Sequence, residues 1–285
     1  MEWLNWGHLI LILIGFGTGL CGVVVGAGGG FILGPILLIF FDIEPEIVAG
    51  TTLALVAINS ISGGIAFRRM GLVDIRSGLL FAAAALPGAI GAPFVIGAVE
   101  GNLFRLLFGI LLVILSVGLI LRQNVSESQE LNSQPNQAAV TKFISRVVTR
   151  TIITKENKVY VYEFNELLAM SVNIFLGFVS SFFGTGGGFL RTPLLVYLFN
   201  FPVQIAVATS IFTLTFVATA GVITHVTLGN INWFPVLIIS GFGIVIGGQI
   251  GARIANKLQG VWIMRILLVL VLTLGGRLIY EGLFI

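Results

Sequence analysis

The sequence GGGFILGP at residues 28–35 returns as GGGFLRTP at residues 186–193. Each copy lies inside a long apolar run. Three consecutive glycines favour an interruption of helical backbone, because glycine lacks the Cβ that restricts other residues. The proline of each copy falls near the start of the helix that resumes, where its missing N–H is tolerated. A chain that breaks and restarts a helix twice in the same way is predicted to consist of two related halves.

The composition indicates that both halves lie in a membrane. The chain has 285 residues, of which 57% are hydrophobic and 9% charged, whereas soluble proteins carry about 25% charged residues. Residues 7–41 and 192–252 contain no Asp, Glu, Lys or Arg. Apolar runs of about 18 or more residues are typical of membrane-spanning helices. The sequence therefore predicts an all-α integral membrane protein.

Several function classes are disfavoured. The single cysteine, Cys21, provides neither a disulfide framework nor a metal cluster. The sequence has no phosphate-binding loop that ends in Gly-Lys-Ser/Thr, and carboxylates are scarce in the predicted spans. We expect a protein that is not an enzyme, that carries no cofactor or metal, and that binds no nucleic acid.

We divide the chain into a first membrane repeat at residues 1–122, a basic linker at 123–165 and a second repeat at 166–285. Each repeat is predicted to have five hydrophobic segments. The second segment of each is only 11 or 12 residues long, which reaches about 18 Å and thus little more than half of the hydrocarbon core. We expect a half-helix or a re-entrant segment there. The predicted segments are 4–27, 31–41, 47–67, 77–98 and 103–122, then 166–184, 189–200, 204–225, 235–253 and 261–281.

The linker has two parts of different composition. Residues 123–137 are polar and typical of a disordered linker. Residues 151–153 and 159–162 are β-branched or aromatic and flank a polar turn, a pattern that predicts a small hairpin at the membrane surface.

The basic residues predict the orientation. Cytoplasmic loops carry an excess of Lys and Arg, which assigns the loop of Arg68 and Arg69 and the segment 123–165 to the cytoplasm and the N-terminus to the outside. With position 28 aligned to position 186, the loop equivalent to Arg68 and Arg69 is the uncharged segment 227–232, which falls outside. The two repeats are therefore predicted to have inverted topology, as an odd number of segments requires.

The duplicated glycine breaks are the first candidate for a binding site. The helices that restart there expose free backbone N–H groups and the positive end of a helix dipole, which together favour an anion. The alternative is that the glycines only allow close helix packing, and we favour that alternative for scattered glycines such as Gly88, Gly91 and Gly251. The candidate residues of the breaks are Gly28, Gly29, Gly30 and Phe31, with Gly186, Gly187, Gly188 and Phe189.

Arg191 follows the second break, where the first copy has Leu33. A charge among apolar residues is costly in a membrane and indicates a function, and a guanidinium grips an oxyanion through two parallel hydrogen bonds. The alternative is an arginine that reaches the lipid headgroups.

Hydroxyl groups open the third segment of each repeat, beside the breaks. Thr51 and Thr52 align with Thr209 and Ser210. These four residues are candidate substrate ligands, and the alternative for each is a helix cap. Asn59, Asn173 and Gln249 are polar residues in apolar spans, which more often join helices than bind a substrate.

Both copies fit the pattern Gly-x-Gly-Gly-Gly-Phe-x-x-x-Pro, at residues 26–35 and 184–193, and the chain on this basis resembles the sulfite exporter TauE/SafE family of membrane transporters. The resemblance implies a multi-pass permease of the cell (inner) membrane that moves small sulfur-containing anions, such as sulfite, sulfoacetate and other organosulfonates, usually outward. The long basic central segment departs from the common layout of the family.

We therefore predict an anion exporter that works by alternating access between two repeats. A passive anion channel, or a membrane scaffold or sensor that acts through residues 123–165, is the alternative. The partners implied are the substrate anion and the lipid bilayer, and a homo-oligomer stays open.

Overall fold

The computed structural model describes residues 3–41, 43–129, 146–255 and 261–284. Within them the chain forms ten α-helices and one two-stranded sheet, so the expectation of five helical segments per half is confirmed. A π-helical turn, Trp233–Leu237, leads into α9. The first half contains α1 (Trp3–Val25), α2 (Gly30–Phe40), α3 (Pro45–Met70), α4 (Ile75–Ile96) and α5 (Gly101–Gln129), and the second contains α6 (Glu166–Phe182), α7 (Gly188–Tyr197), α8 (Val203–Thr227), α9 (Ile238–Ala255) and α10 (Val261–Phe284).

The helices have the length and the surface of an integral membrane protein. Five stretches among the described residues are long and apolar enough to cross a bilayer. Large apolar side chains such as Phe94, Phe175 and Phe242 face outward, and exposed apolar surface on this scale requires lipid rather than water. In contrast, α2 and α7 have 11 and 10 residues, as the short predicted segments require. The five spanning stretches are Gly7–Val25, Pro45–Met70, Ile75–Ile96, Val203–Thr227 and Trp233–Ala255.

The halves interlock rather than lie side by side. Helix α1 packs against α9, and its counterpart α6 packs against α4, the counterpart of α9. Helices α3 and α8 pack against each other, as do α5 and α10. All four of these pairings are preserved when the halves are exchanged, which fits two related repeats. Their inverted orientation in the membrane stays a prediction.

Small residues allow the closest of these helix contacts. A Cβ added at Gly88 of α4 would lie 2.5 Å from the backbone nitrogen of Phe178 in α6, and one at Gly251 of α9 would lie 2.7 Å from the carbonyl oxygen of Leu20 in α1. Both glycines therefore serve helix packing, as expected. Gly91 differs, because among the described residues no atom beyond its own helix backbone lies within 4 Å of an added Cβ.

The described part of the linker, residues 123–129 and 146–165, contains regular structure. Helix α5 continues to Gln129, beyond the expected end at 122, and residues 130–145 lie outside the described residues. The hairpin is confirmed: β1 (Val147–Ile153) pairs antiparallel with β2 (Val159–Asn165), and Ile153 lies opposite Val159. The hairpin is also longer than expected, because pairing extends until Val147 meets Asn165, the N-cap residue of α6.

Candidate functional site

Each glycine break is a short non-helical turn between two helices. Gly26, Gly28 and Gly29 have φ values of 78°, 79° and 98°, and the aligned Gly184, Gly186 and Gly187 have 66°, 78° and 65°. Residues with a Cβ rarely adopt these left-handed conformations. The repeated Gly-x-Gly-Gly pattern therefore specifies the same turn twice.

The two breaks contact each other in the interior of the bundle. A Cβ added at Gly30 would lie 2.5 Å from the carbonyl oxygen of Gly184 and 3.0 Å from the Cα of Thr185. Reciprocally, a Cβ at Gly188 would collide with the carbonyl oxygen of Gly26. We call this contact the crossing, formed by residues 26–31 and 184–189. All of these residues are buried.

Aromatic and aliphatic side chains complete the crossing symmetrically. The rings of Phe31 and Phe189 stack with their centroids 5.5 Å apart and an interplanar angle of 7°. Val56 of α3 and Leu214 of α8, which align with each other, both lie against Gly28 and Gly186. Each half thus contributes one phenylalanine and one aliphatic residue to the walls of the crossing.

Backbone N–H groups lie at the crossing. The hydrogen bonds of α2 begin with the amides of Ile32 and Leu33, which both bind the carbonyl of Gly29. In the same way, those of α7 begin with the amides of Leu190 and Arg191, which bind Gly187. The amides just before them are the first of each helix and have no intrahelical acceptor. These are the amides of Gly30, Phe31, Gly188 and Phe189.

Arg191 is completely buried, with an exposed fraction of 0%. Its Nε donates a hydrogen bond to Oδ1 of Asn173 at 2.7 Å. Its Nη1 and Nη2 have no hydrogen-bond partner among the described residues. The side chain therefore lies inside the protein and not at the lipid headgroups, which was the alternative.

The structure adds Asn173 to the site. Its Nδ2 donates to the carbonyl of Ala169 at 2.8 Å, one turn earlier in α6, so Oδ1 is presented to Arg191. The sequence indicated a polar residue in an apolar span but not its partner, which lies on another helix. Neither residue has a polar counterpart in the first half, where Leu33 aligns with Arg191 and Gly15 aligns with Asn173.

The four predicted hydroxyl groups fall into two pairs. Ser210 donates to the carbonyl of Gly26 at 2.9 Å, and Thr52 lies against Gly184 while donating to the carbonyl of Val48 at 2.7 Å. These two lie at the crossing.

Thr51 and Thr209 lie one step further from the crossing. Thr51 accepts a hydrogen bond from the N–H of Asn232 at 2.8 Å, and Thr209 accepts one from the N–H of Asp74 at 3.1 Å. Asp74 caps α4, and Asn232 precedes the π-helical turn of the other half. Thr51 and Thr209 therefore join the halves, and a role as direct ligands stays a prediction.

Asn59 ties the first break to α3. Its Nδ2 donates to the carbonyls of Gly28 at 2.9 Å and Gly19 at 3.2 Å. This is the helix-joining role expected of an amide in an apolar span. Across the described residues, His, Cys, Asp and Glu side chains form no group of three that could hold a metal ion.

Comparison with known proteins agrees with this architecture. The family model described as Sulfite exporter TauE/SafE matches residues 11–278. The probable membrane transporter protein YunE of Bacillus subtilis (strain 168) is 29% identical over 283 residues, which cover 97% of this chain and 98% of the relative. A probable membrane transporter protein of Xylella fastidiosa (strain Temecula1) is 28% identical and covers 87% of this chain and 83% of its own length. The probable membrane transporter protein YdhB of Bacillus subtilis is 24% identical, with 89% and 92% covered. No solved structure matches.

Proposed function

The chain belongs to the sulfite exporter TauE/SafE family of membrane proteins, and we propose that it transports a small sulfur-containing oxyanion, such as sulfite or an organosulfonate, which binds at the crossing. Membership of the family and the names of the relatives make the protein a membrane transporter and not an enzyme. The substrate, its outward direction and the inner-membrane location belong to the proposal.

The observation that carries this proposal is the pair of buried, unpartnered Nη groups of Arg191. Burial of a charge without hydrogen-bond partners is expensive, so a native protein normally supplies them. Two parallel N–H groups of a guanidinium match two oxygens of a sulfite or sulfonate. A substrate anion would therefore supply the partners that the described protein atoms do not.

The position of Arg191 strengthens the preference for an anion. It lies in the first turn of α7, one residue after Leu190, whose amide makes the first hydrogen bond of the helix. Amides without an intrahelical acceptor and the positive end of the helix dipole favour negative charge there. The low dielectric of the bundle interior strengthens both effects.

Asn173 orients the guanidinium of Arg191. Because Nε is engaged at 2.7 Å, the two Nη groups are the ones left to bind a ligand. Arg191 and Asn173 both belong to the second half. We infer one asymmetric anion site, which lies beside the second break.

The closed crossing favours alternating access over a passive channel. Residues 26–31 and 184–189 are buried throughout, and a channel requires a continuous aqueous path. We propose that relative movement of the two halves exposes the crossing to one side at a time, as inverted repeats do in other transporters.

The test is uptake of labelled sulfite into proteoliposomes. Wild type should show saturable uptake, and Arg191→Gln, which keeps a polar side chain and removes the fork and the charge, should reduce it at least 10-fold. Arg253→Gln is the control, because Arg253 lies at the exposed end of α9 and should leave uptake unchanged. Equal uptake by both variants and wild type would remove Arg191 from the site.

The same assay separates the alternative functions. A passive channel predicts rapid flux without saturation. If sulfite, sulfoacetate and thiosulfate all fail to enter liposomes that contain the wild-type protein, the scaffold or sensor alternative gains support.

A further inference from the structure

The β1–β2 hairpin is seated on one end of the helix bundle. Tyr162 and Phe164 are 5% and 4% exposed. The ring centroid of Phe201, just before α8, lies 4.4 Å from that of Tyr162 and 4.9 Å from that of Phe164. Phe81 of α4 lies 6.1 Å from Phe164. The inner face of β2 is therefore part of the core of the bundle.

The tip of the hairpin is attached by two hydrogen bonds. Tyr160 donates to Oε1 of Gln204 in α8 at 2.7 Å. The backbone N–H of Lys155 donates to the carbonyl of Met70, the last residue of α3, at 3.3 Å. The hairpin thus touches helices of both halves.

Arg150 of β1 bridges the two halves through their carboxylates. Its Nη2 lies 2.9 Å from Oε1 of Glu166, the first residue of α6, and its Nε lies 3.8 Å from Oδ2 of Asp74, the N-cap of α4. The same Asp74 oxygen accepts a hydrogen bond from Tyr162 at 2.7 Å. Asp74 and Glu166 are 2% and 4% exposed. We call this group, Asp74, Arg150, Tyr162 and Glu166, the latch.

The latch is connected to the crossing by direct contacts. The N–H of Asp74 binds Thr209, and the next residue, Ser210, binds the carbonyl of Gly26 in the first break. In parallel, one continuous apolar cluster contains Tyr162 and Phe164 at the hairpin as well as Val56 and Leu214 at the crossing.

The opposite end of the bundle has no equivalent of the latch among the described residues. In the alignment of the halves, Asn232 stands at the position of Asp74, and His8 stands at the position of Glu166. The ring of His8 packs edge-on against Phe234 there, with centroids 5.7 Å apart. In the part of the chain that the structure describes, an ionic bridge between the halves therefore closes the hairpin end and not the opposite end.

We propose that the hairpin is a gate: it is docked in this closed state, and it must leave its seat on α3 and α8 whenever the crossing opens toward the hairpin end. The proposal rests on the transport function proposed above. It follows from two observations. The hairpin covers the apolar cluster that leads to the crossing, and the latch joins the two halves, whose relative movement is proposed above to open the site. When the hairpin undocks, the charged groups of the latch return to water and regain their hydration. This offsets part of the lost attraction and makes the contact suitable for reversible opening.

A reversible cross-link tests the gate. Cys21 is the only cysteine of the chain, so a Cys21→Ser background provides a clean start. Met70→Cys and Lys155→Cys place one thiol on α3 and one on the hairpin. The hydrogen bond between residues 155 and 70 joins backbone groups, so the two substitutions do not remove it. A short bifunctional methanethiosulfonate should then reduce sulfite uptake at least 10-fold, and reduction should restore it.

A control cross-link joins the two strands of the hairpin to each other and not to a helix. Thr149 and Glu163 are directly opposed across the two strands and hydrogen-bonded at 2.8 Å on the exposed face. Thr149→Cys with Glu163→Cys, treated in the same way, should leave uptake unchanged. Full uptake with the hairpin fixed to α3 would overturn the gate, whereas it would leave the anion site at Arg191 intact.

A labelling experiment gives a readout that does not depend on transport. Thr154 at the hairpin tip is 6% exposed, so Thr154→Cys should be labelled by a membrane-impermeant maleimide only when the hairpin undocks. In the Cys21→Ser background this thiol is the sole cysteine, and labelling that proceeds under native conditions supports the gate. Complete protection contradicts it, even if sulfite proves not to be the substrate.

Discussion

Substitution of Gly30 by alanine tests the crossing most directly. Gly30 begins α2 with an ordinary negative φ, so an alanine meets no backbone strain at this position. The added Cβ would instead lie 2.5 Å from the carbonyl oxygen of Gly184, 2.7 Å from Cγ2 of Val56 and 3.0 Å from the Cα of Thr185. A destabilising effect of Gly30→Ala would therefore come from its contacts with the second break and with Val56.

The expected magnitude follows from these distances. To regain an ordinary van der Waals separation, the second break must retreat by about 1 Å. Because the obstacle is the backbone of a buried turn, it cannot rotate away as a side chain could. Overpacking of this kind costs about 1–3 kcal/mol in the free energy of unfolding. We expect Gly30→Ala to lower the thermal unfolding temperature by several degrees and to reduce sulfite uptake.

Gly91→Ala is the matched control. Gly91 also lies in a helix, and in the described part of the chain no atom beyond its own helix backbone lies within 4 Å of its added Cβ. Removal of glycine flexibility from a helix interior stabilises it by about 0.5–1 kcal/mol. The same substitution should thus have opposite signs at the two sites, measured by thermal unfolding in detergent and by uptake. If Gly30→Ala unfolds at or above the temperature of Gly91→Ala and transports normally, the two breaks do not touch as described.

Three further predictions concern the anion site and the latch. Arg191→Met should raise the unfolding temperature of the substrate-free protein while abolishing uptake, because it relieves two buried unpaired donors and leaves only the acceptor of Asn173 unpaired, at about 1–3 kcal/mol for each group. Asn173→Ala should raise the KM for sulfite about 10-fold with a smaller change in the maximal rate, since it frees the orientation of a guanidinium that is still present; an unchanged KM would contradict the positioning role. Burial, and then the neighbouring Asp74 carboxylate, raise the pKa of Tyr162. Its hydrogen bond to Asp74 should therefore stabilise docking fully at neutral pH and be lost only as the pH rises above about 10. Labelling of the hairpin-tip cysteine that accelerates between pH 7 and 9 with Tyr162 in place, but not in Tyr162→Phe, would refute this.

The sequence predicted the features that depend on local pattern. The half-helices at Phe31 and Phe189 follow from glycine and proline within a few residues of each other, and the hairpin follows from β-branched residues around a polar turn. The interior location of Arg191 followed from its apolar neighbours in the chain. In these cases the physical cause lies within about one helical turn of the residue concerned.

The features that depend on distant contacts could not be predicted. Asn173 binds Arg191 across two helices, and nothing in either segment identifies the other as its partner. Likewise, the composition of the linker indicated a surface hairpin, but the burial of Tyr162 and Phe164 depends on aromatic residues that follow α7 and line α4. Thr51 and Thr209 had the correct chemistry for ligands, yet they bind backbone groups that the alignment alone could not bring near.

The reciprocal fit of the breaks restricts how the two copies of the repeat can diverge. The space for Gly30 is set by the backbone of the second copy, and the space for Gly188 is set by the backbone of the first. A larger residue in one copy therefore requires a shift of the backbone in the other, which is a physical reason for glycine at both positions. At position 33 and its twin at 191 the two copies differ, and they hold leucine and arginine. A duplicated sequence can acquire a single specific charge in this way without losing the symmetric frame that surrounds it.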